Sequence, residues 1–397
     1  MPAGTTTLNT PWSRVANTTI RDFISGEQIN ILRNRKLTAL MLKRGRITFN
    51  HAGTAMDFKV RYRRAPMVGF ADGDTVTFSR QDRNKTAVVD WRGYSAADAM
   101  TKGEFLMNRS TEAIIKLFNN RTRDLLQDVE DQFCEQMYID GSLAANSKSM
   151  HGLETYLGYA NQAVGNGAML PTATYGGLSC APGAYGGSWS QAGALQWPNG
   201  KETDGSQSYD FWSPSIIDVG DTFFGTAANW GDANKPVNGT AVCIEALAYA
   251  IIKSKKSPSP KGELDLFLMN DNAYQQYVRN LRQFQRIVIN GQISELIGMG
   301  FSDTVQQDGG KDVTWEYGLP TSGQTGNGIG VIGYGLNLDQ LELCSMQAQV
   351  WVPEGPSFDD ASKTWRWSID FFGNLKSNPK YQCKLLNFTT PADSAQM

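Results

Sequence analysis

The chain has 397 residues, 41% hydrophobic and 11% aromatic, enough to bury a sizeable core and too apolar for a disordered protein. A net charge of −2 gives no overall pull toward nucleic acid, and no apolar run reaches the length of a membrane span. Met1–Val15 has neither the apolar core nor the cleavage site of a secretory leader, and five cysteines without a CxxC pair fit free thiols in a reducing compartment.

Charge is placed unevenly along the chain. Residues 1–50 hold eight basic side chains (Arg14, Arg21, Arg33, Arg35, Lys36, Lys43, Arg44 and Arg46) against Asp22 and Glu27, so the remainder is net acidic. Residues 1–20 read as an extended arm anchored by Trp12. Ile31, Leu32, Leu37, Leu40 and Met41 predict a short amphipathic helix within 27–44, stopped at Gly45. This basic segment is either solvated or laid against an acidic partner, which includes another copy of the chain.

Over 47–98 the apolar period changes from helical to two. Met56, Phe58, Val60 and Tyr62 alternate with Asp57, Lys59, Arg61 and Arg63, predicting a half-buried strand with a mostly basic outer face. Val76–Phe78 and Val88–Trp91 can pair back, with turns at Asp72–Asp74 and Asp82–Asn84. An isolated hairpin is marginally stable, so this one is expected to pack on another molecule.

A helix is predicted from Ser110 to Ile139, roughly 45 Å long at 1.5 Å per residue, with Gly141 as a left-handed stop. Ile114, Phe118, Leu125, Val129 and Phe133 form its apolar stripe. Asp124, Asp128, Asp131 and Glu135 form a separate acidic edge, either a solvated face or a dock for the basic arm or hairpin.

Residues 158–235 are rich in Gly, Ser, Asn, Tyr and Trp, and Trp189, Trp197, Trp212 and Trp230 imply an irregular but ordered excursion held to the body. Helices are predicted over 240–256 and Asn272–Phe284, with a short apolar strand at Leu264–Met269 between them, an α+β pattern. Gly328, Gly330 and Gly333 spell GxGxxG, but no helix pattern opens from it, which argues against a dinucleotide site. Trp365, Trp367, Ile369 and Phe371 alternate as in a strand.

Catalytic signals are sparse. His51 and His151 are the only histidines, in different segments, and no GxxxxGK[ST], HExxH or GxSxG occurs. No catalytic residue, cofactor or metal ligand is assigned.

Taken in this order, the chain resembles the major capsid proteins of tailed phages, whose Hong Kong 97-type fold is also seen in encapsulins. The basic arm is similar to the family's N-arm, the 47–98 hairpin to its extended loop, and the 110–140 helix to its spine helix. Further phrases carry the resemblance: His151–Glu154, Tyr175–Leu178 followed by Trp212, Leu264–Asn270 with Tyr274 and Tyr277, and Phe371–Leu375 through Asn378–Pro379. It implies an α+β fold divided into an N-terminal arm (1–46), an extended β-hairpin loop (47–105), a peripheral domain with the spine helix (106–150), an axial domain (151–350) and C-terminal strands returning to the peripheral domain (351–397).

The resemblance also implies a structural protein, not an enzyme, that self-assembles through pentamers and hexamers into an icosahedral shell around double-stranded DNA, in the virion, after assembly in the host cytoplasm. The implied partners are other copies of the chain, portal and decoration proteins, a separate scaffolding protein or none, and DNA in weak nonspecific contact, with no membrane. Lys59, Arg61, Arg63 and Arg64 meeting Asp124, Asp128, Asp131 and Glu135 of a neighbour is the expected assembly contact, with Arg33, Arg35, Lys36, Lys43, Arg44 and Arg46 as N-arm contacts. An encapsulin-like compartment with protein cargo and a carbohydrate-binding or glycoside-processing protein built on 158–235 remain alternatives.

Overall fold

A computed structural model of the chain describes residues 35–61, 68–75, 78, 80, 84–107, 111–163, 169–181, 212–225, 229–232, 241–254, 262–283, 296, 299, 304–307, 310–316, 319 and 330–387. Ile31, Leu32, Arg33, Tyr62, Arg63, Arg64, Ser110, Trp189 and Trp197 lie outside them, as does Gly328.

In chain order the first elements are α1 (Lys36–Lys43), β1 (Ile47–Thr48), β2 (Ala55–Arg61), β3 (Asn84–Asp90), β4 (Arg92–Thr101), α2 (Lys102–Met107) and α3 (Thr111–Gln136). Short strands follow: β5 (Tyr159–Ala163), β6 (Met169–Pro171), β7 (Thr174–Tyr175), β8 (Leu178–Ser179) and β9 (Ser215–Asp218). Next come α4 (Val242–Ser254), β10 (Leu266–Met269), α5 (Asp271–Gln283), β11 (Val305–Gln307) and β12 (Lys311–Trp315). The chain closes with β13 (Gly330–Leu336), β14 (Leu341–Ser345), β15 (Val352–Asp359), β16 (Thr364–Ser377) and β17 (Cys383–Asn387).

Two sheets carry the core. A five-stranded sheet runs β1-β14-β16-β15, with β4 also on β16. A six-stranded sheet runs β11-β12-β10-β13-β17-β9. In β10, Leu266 and Leu268 enter one apolar cluster, whereas Phe267 and Met269 enter a second one with α4 and α5. The strand is therefore covered on both faces, which explains its unbroken apolar run. Two glycines of the GxGxxG phrase serve this sheet: Gly330 and Gly333 lie on β13, and at Gly333 a Cβ would collide with the Leu268 carbonyl of β10.

The alternation in β16 behaves as its period requires. Trp365, Trp367, Ile369 and Phe371 are all buried, while Arg366 between them and Phe372 just after them are exposed. Helix α3 lays Val129 and Phe133 on this layer. The Phe133 ring meets Trp351 edge-on at 5.0 Å and Phe371 at 5.3 Å. Leu126 adds to the buried stripe, and Leu125 is half-buried.

Three expectations need correction. Helix α3 ends at Gln136, short of Ile139, because the Tyr138 N–H bonds three residues back to the Glu135 carbonyl at 3.1 Å and tightens the last turn. Gly141 is not in the left-handed region; it is required because a Cβ there would stand 2.5 Å from the Met150 carbonyl oxygen. Residues 92–101, read as part of the hairpin segment, form β4 and pair along β16 from Thr101↔Thr364 to Arg92↔Gly373.

The hairpin itself forms as expected, with Ala55↔Asp90 through Arg61↔Asn84 in antiparallel register. Its root, however, packs on its own chain rather than on another molecule. Met56, Val60, Ala87 and Val89 are buried, the Val88 N–H donates to the Gly176 carbonyl at 3.0 Å, and Phe58 contacts the Trp212 ring. The physical reason is the Tyr175–Leu178 turn, where Gly176 and Gly177 adopt φ of 59° and 73° and bring backbone against Ala87.

Candidate assembly surface

The arm's helix α1 has eight residues, too few to be stable alone, and is held by burial of Leu37, Leu40 and Met41 at about 2 kcal/mol each. Gly45 at φ 64° ends it as the sequence predicts, and the Arg46 N–H donates to the Met41 carbonyl at 2.7 Å.

Its basic side chains find partners in the same chain. Arg35 pairs with Asp131 on the acidic edge of α3, Arg44 with Asp265 at 3.0 Å, and Arg46 with Asp339. Lys36 is buried, donating to Thr314 Oγ1 and to the Trp315 carbonyl, both at 2.8 Å, with its ammonium over the Trp315 ring. Lys43 is exposed. Arg33 lies outside the described residues. Arg35, Arg44 and Arg46 thus meet acids that the sequence places up to 293 positions away.

Glu316 completes the arm's anchorage. Its carboxylate accepts the Leu37 N–H at 3.0 Å, near the positive end of α1. Burial pushes the carboxyl up to about 7, against the opposing pull of that hydrogen bond and of Arg35 and Lys36. Nothing local in the sequence marks Glu316, Asp265 or Asp339 as partners of the arm.

Asp124, Asp128, Asp131 and Glu135 are all exposed along one edge of α3, as their spacing predicts. Asp131 keeps 66% of its side chain accessible even while paired with Arg35. Lys59 and Arg61 are exposed on the outer face of β2. The outer part of the hairpin carries Val68, Phe70 and Phe78 at 76%, 72% and 93% exposure, and Asp72–Asp74 form the expected turn around Gly73 at φ 92°. The structure does not bring the basic hairpin face and the acidic helix edge into contact among the described residues of one chain.

A second charged centre lies inside. Lys384 of β17 donates to Glu154 Oε2 at 2.5 Å, with side chains only 1% and 6% accessible, and the Tyr334 hydroxyl donates to the other carboxylate oxygen. This ties the His151–Glu154 phrase to the six-stranded sheet. The phrase also closes α3: the Leu153 N–H donates to the Met137 carbonyl at 2.9 Å, and a Cβ on Gly152 would meet Met137 and Ile139 backbone within 2.7 Å. His151 is half-buried, and burial, then Arg92, lowers its pKa.

Trp212 and Trp230 of the 158–235 excursion are fully buried, Trp212 stacked on Tyr175 and Trp230 donating to the Ala273 carbonyl. They hold chain to the body and line no open groove. Among the described residues no helix is long and apolar enough to cross a membrane.

No protein-family model and no curated protein matches the chain. Solved structures do. The capsid asymmetric unit of cyanophage A-1(L) matches at a TM-score of 0.55 and 13% identity, over 90% of this chain and 93% of that one. The capsid of a native GTA particle matches at 0.48 and 11%, over 87% and 89%, and the mature capsid of bacteriophage PhiM1 at 0.46 and 10%, over 88% and 87%. With the arm, hairpin, long helix and two sheets in the expected order, and the cyanophage match spanning nearly all of both chains, this chain has the α+β Hong Kong 97-type fold of tailed-phage major capsid proteins.

Proposed function

We propose that this chain is a major capsid protein, copies of which assemble into an icosahedral shell enclosing a double-stranded DNA phage genome. The observation that carries the reading is the near-complete coverage of both this chain and the cyanophage capsid chain. The role is structural rather than catalytic. Rings close through head-to-tail contacts between copies, and hairpins tie neighbouring rings together. The exposed Val68, Phe70 and Phe78 support it, because large apolar side chains in water on a projecting element suit burial against a partner.

In this reading the hairpin face of Lys59, Arg61, Arg63 and Arg64 meets the acidic edge of a neighbouring copy. Asp124, Asp128 and Glu135 supply that edge, and Asp131 is shared with the neighbour's own Arg35. Portal and decoration proteins add at special positions of the shell, and DNA contact is weak, nonspecific and salt-sensitive. The virion is the site of function, reached after assembly in the host cytoplasm.

The test is particle yield, followed by light scattering on a sizing column and negative-stain microscopy. The wild-type chain gives rings or megadalton shells. The double change Arg61→Glu with Arg63→Glu gives a folded monomer that does not assemble, and unchanged particle yield would sink the assigned contact. A chain that stays monomeric at high concentration, even with crowding agents and co-expressed phage assembly factors, would overturn the capsid reading itself.

A further inference from the structure

The segment joining the arm to the hairpin runs beside β14 and is fixed to it. Thr48 pairs with Cys344 in the parallel ladder, and the Asn50 and His51 N–H groups donate to the Gln347 and Ser345 carbonyls, both at 3.1 Å. Glu342 and Cys344, two apart on β14, share one face of the sheet. His51 reaches back over that face. As a result, one ligand atom each from His51, Glu342 and Cys344 lies within 4.8 Å of the others.

A single hydroxyl marks the point on which they converge. Thr48 Oγ1 stands 2.8 Å from His51 Nε2, 2.9 Å from Glu342 Oε1 and 3.5 Å from Cys344 Sγ. We propose that His51, Glu342 and Cys344 form a binding site for a divalent transition metal, zinc foremost, which takes the place of the Thr48 hydroxyl. One imidazole nitrogen, one thiolate sulfur and one carboxylate oxygen suit a borderline-soft ion, whereas calcium and magnesium call for oxygen donors.

Bonds of about 2.0–2.3 Å need the donors to close in by about 1 Å as Thr48 turns aside, with water in the fourth position. The surroundings support the ligand set. Lys376 Nζ donates to Glu342 Oε2 at 2.9 Å, orienting the carboxylate so that Oε1 faces the site. Burial works to raise the Glu342 carboxyl, but Lys376 and Thr48 hold it below its usual range, so it is ionised and ready to bind. Cys344 is 1% exposed and burial raises its thiol, so metal binding releases the thiol proton to solvent.

Such a site joins residues that the sequence separates by almost the whole body of the chain. It would pin the hairpin's point of departure to the C-terminal strands, and by linkage the folded chain gains stability with free metal concentration.

The test uses the purified full chain, reduced and stripped of metal with a chelator, then titrated with cobalt(II) as a spectroscopic stand-in for zinc. The expected result is one equivalent bound with a thiolate-to-cobalt charge-transfer band and tetrahedral ligand-field bands, bleached when zinc is added. Cys344→Ser abolishes the charge-transfer band. His51→Ala, at a half-exposed position, weakens cobalt binding about tenfold or more, as does Glu342→Gln. Thr48→Ala removes the competing hydroxyl and binds at least as tightly as wild type. Absence of a stoichiometric band, or a band that survives Cys344→Ser, overturns the assignment.

Discussion

The charges of this molecule fall into two regions with opposite logic. Inside, Lys384 and Glu154 are almost inaccessible and each satisfies the other, and α1 is held by Arg44–Asp265, Arg46–Asp339 and the Glu316 contact to Leu37. Outside, Lys59 and Arg61 stand exposed on β2, and Asp124, Asp128 and Glu135 along one edge of α3. A charge removed from water must have its partner built in, whereas an exposed charge costs the monomer little and is available to a neighbour. The inner set therefore answers to stability, and the outer set is the one proposed above for contacts between copies.

The largest effect separating the two belongs to the buried pair. Lys384→Met strands the Glu154 carboxylate beside Tyr334, and Glu154→Gln leaves the ammonium over the Tyr159 ring without its carboxylate; either change lowers unfolding free energy by about 3–5 kcal/mol in urea denaturation. The double change to Met and Gln recovers part of the loss, because no bare charge is left. If either single change unfolds like wild type, the interior set does not hold the fold.

Next is the pH dependence of the arm's anchor. The Glu316 carboxyl is raised from 4.5 to about 7, so the folded chain holds that proton more tightly than the unfolded chain does. Its contribution is fully present below about pH 4.5 and is lost as the pH climbs through about 7, a loss of at most about 3 kcal/mol. Comparing urea midpoints at about pH 5 and about pH 8 reads it, and Glu316→Gln flattens that part of the profile.

The smallest stability effect is expected on the outside. Asp128→Asn with Glu135→Gln shifts unfolding by no more than about 0.5 kcal/mol, while particle yield falls. A stability loss comparable to that of the buried pair would move the acidic edge from the assembly set into the folding set.

Legibility in the sequence follows the range of the interaction. The stop at Gly45, the alternation of β16 and the existence of the hairpin can all be read in the sequence because each depends on periods of two to four residues or on a local turn. The arm's charge leaves two readings open in the sequence, a solvated face or an acidic partner, for the same reason: Asp131, Asp265 and Asp339, which meet Arg35, Arg44 and Arg46, lie far along the chain. The role of Gly141 was hidden likewise, since its neighbour is the Met150 backbone rather than its own left-handed φ.

Side-chain period and turn chemistry thus suffice for the long helix, the hairpin and the buried face of β16, because backbone geometry repeats over a few residues and burial selects one face. The pairings of the arm, the closing of Lys384 on Glu154 and the gathering of His51, Glu342 and Cys344 required the folded chain. Such contacts depend on which strands lie side by side, and that is set by the summed packing of two sheets and the helices against them, not by any local run of residues.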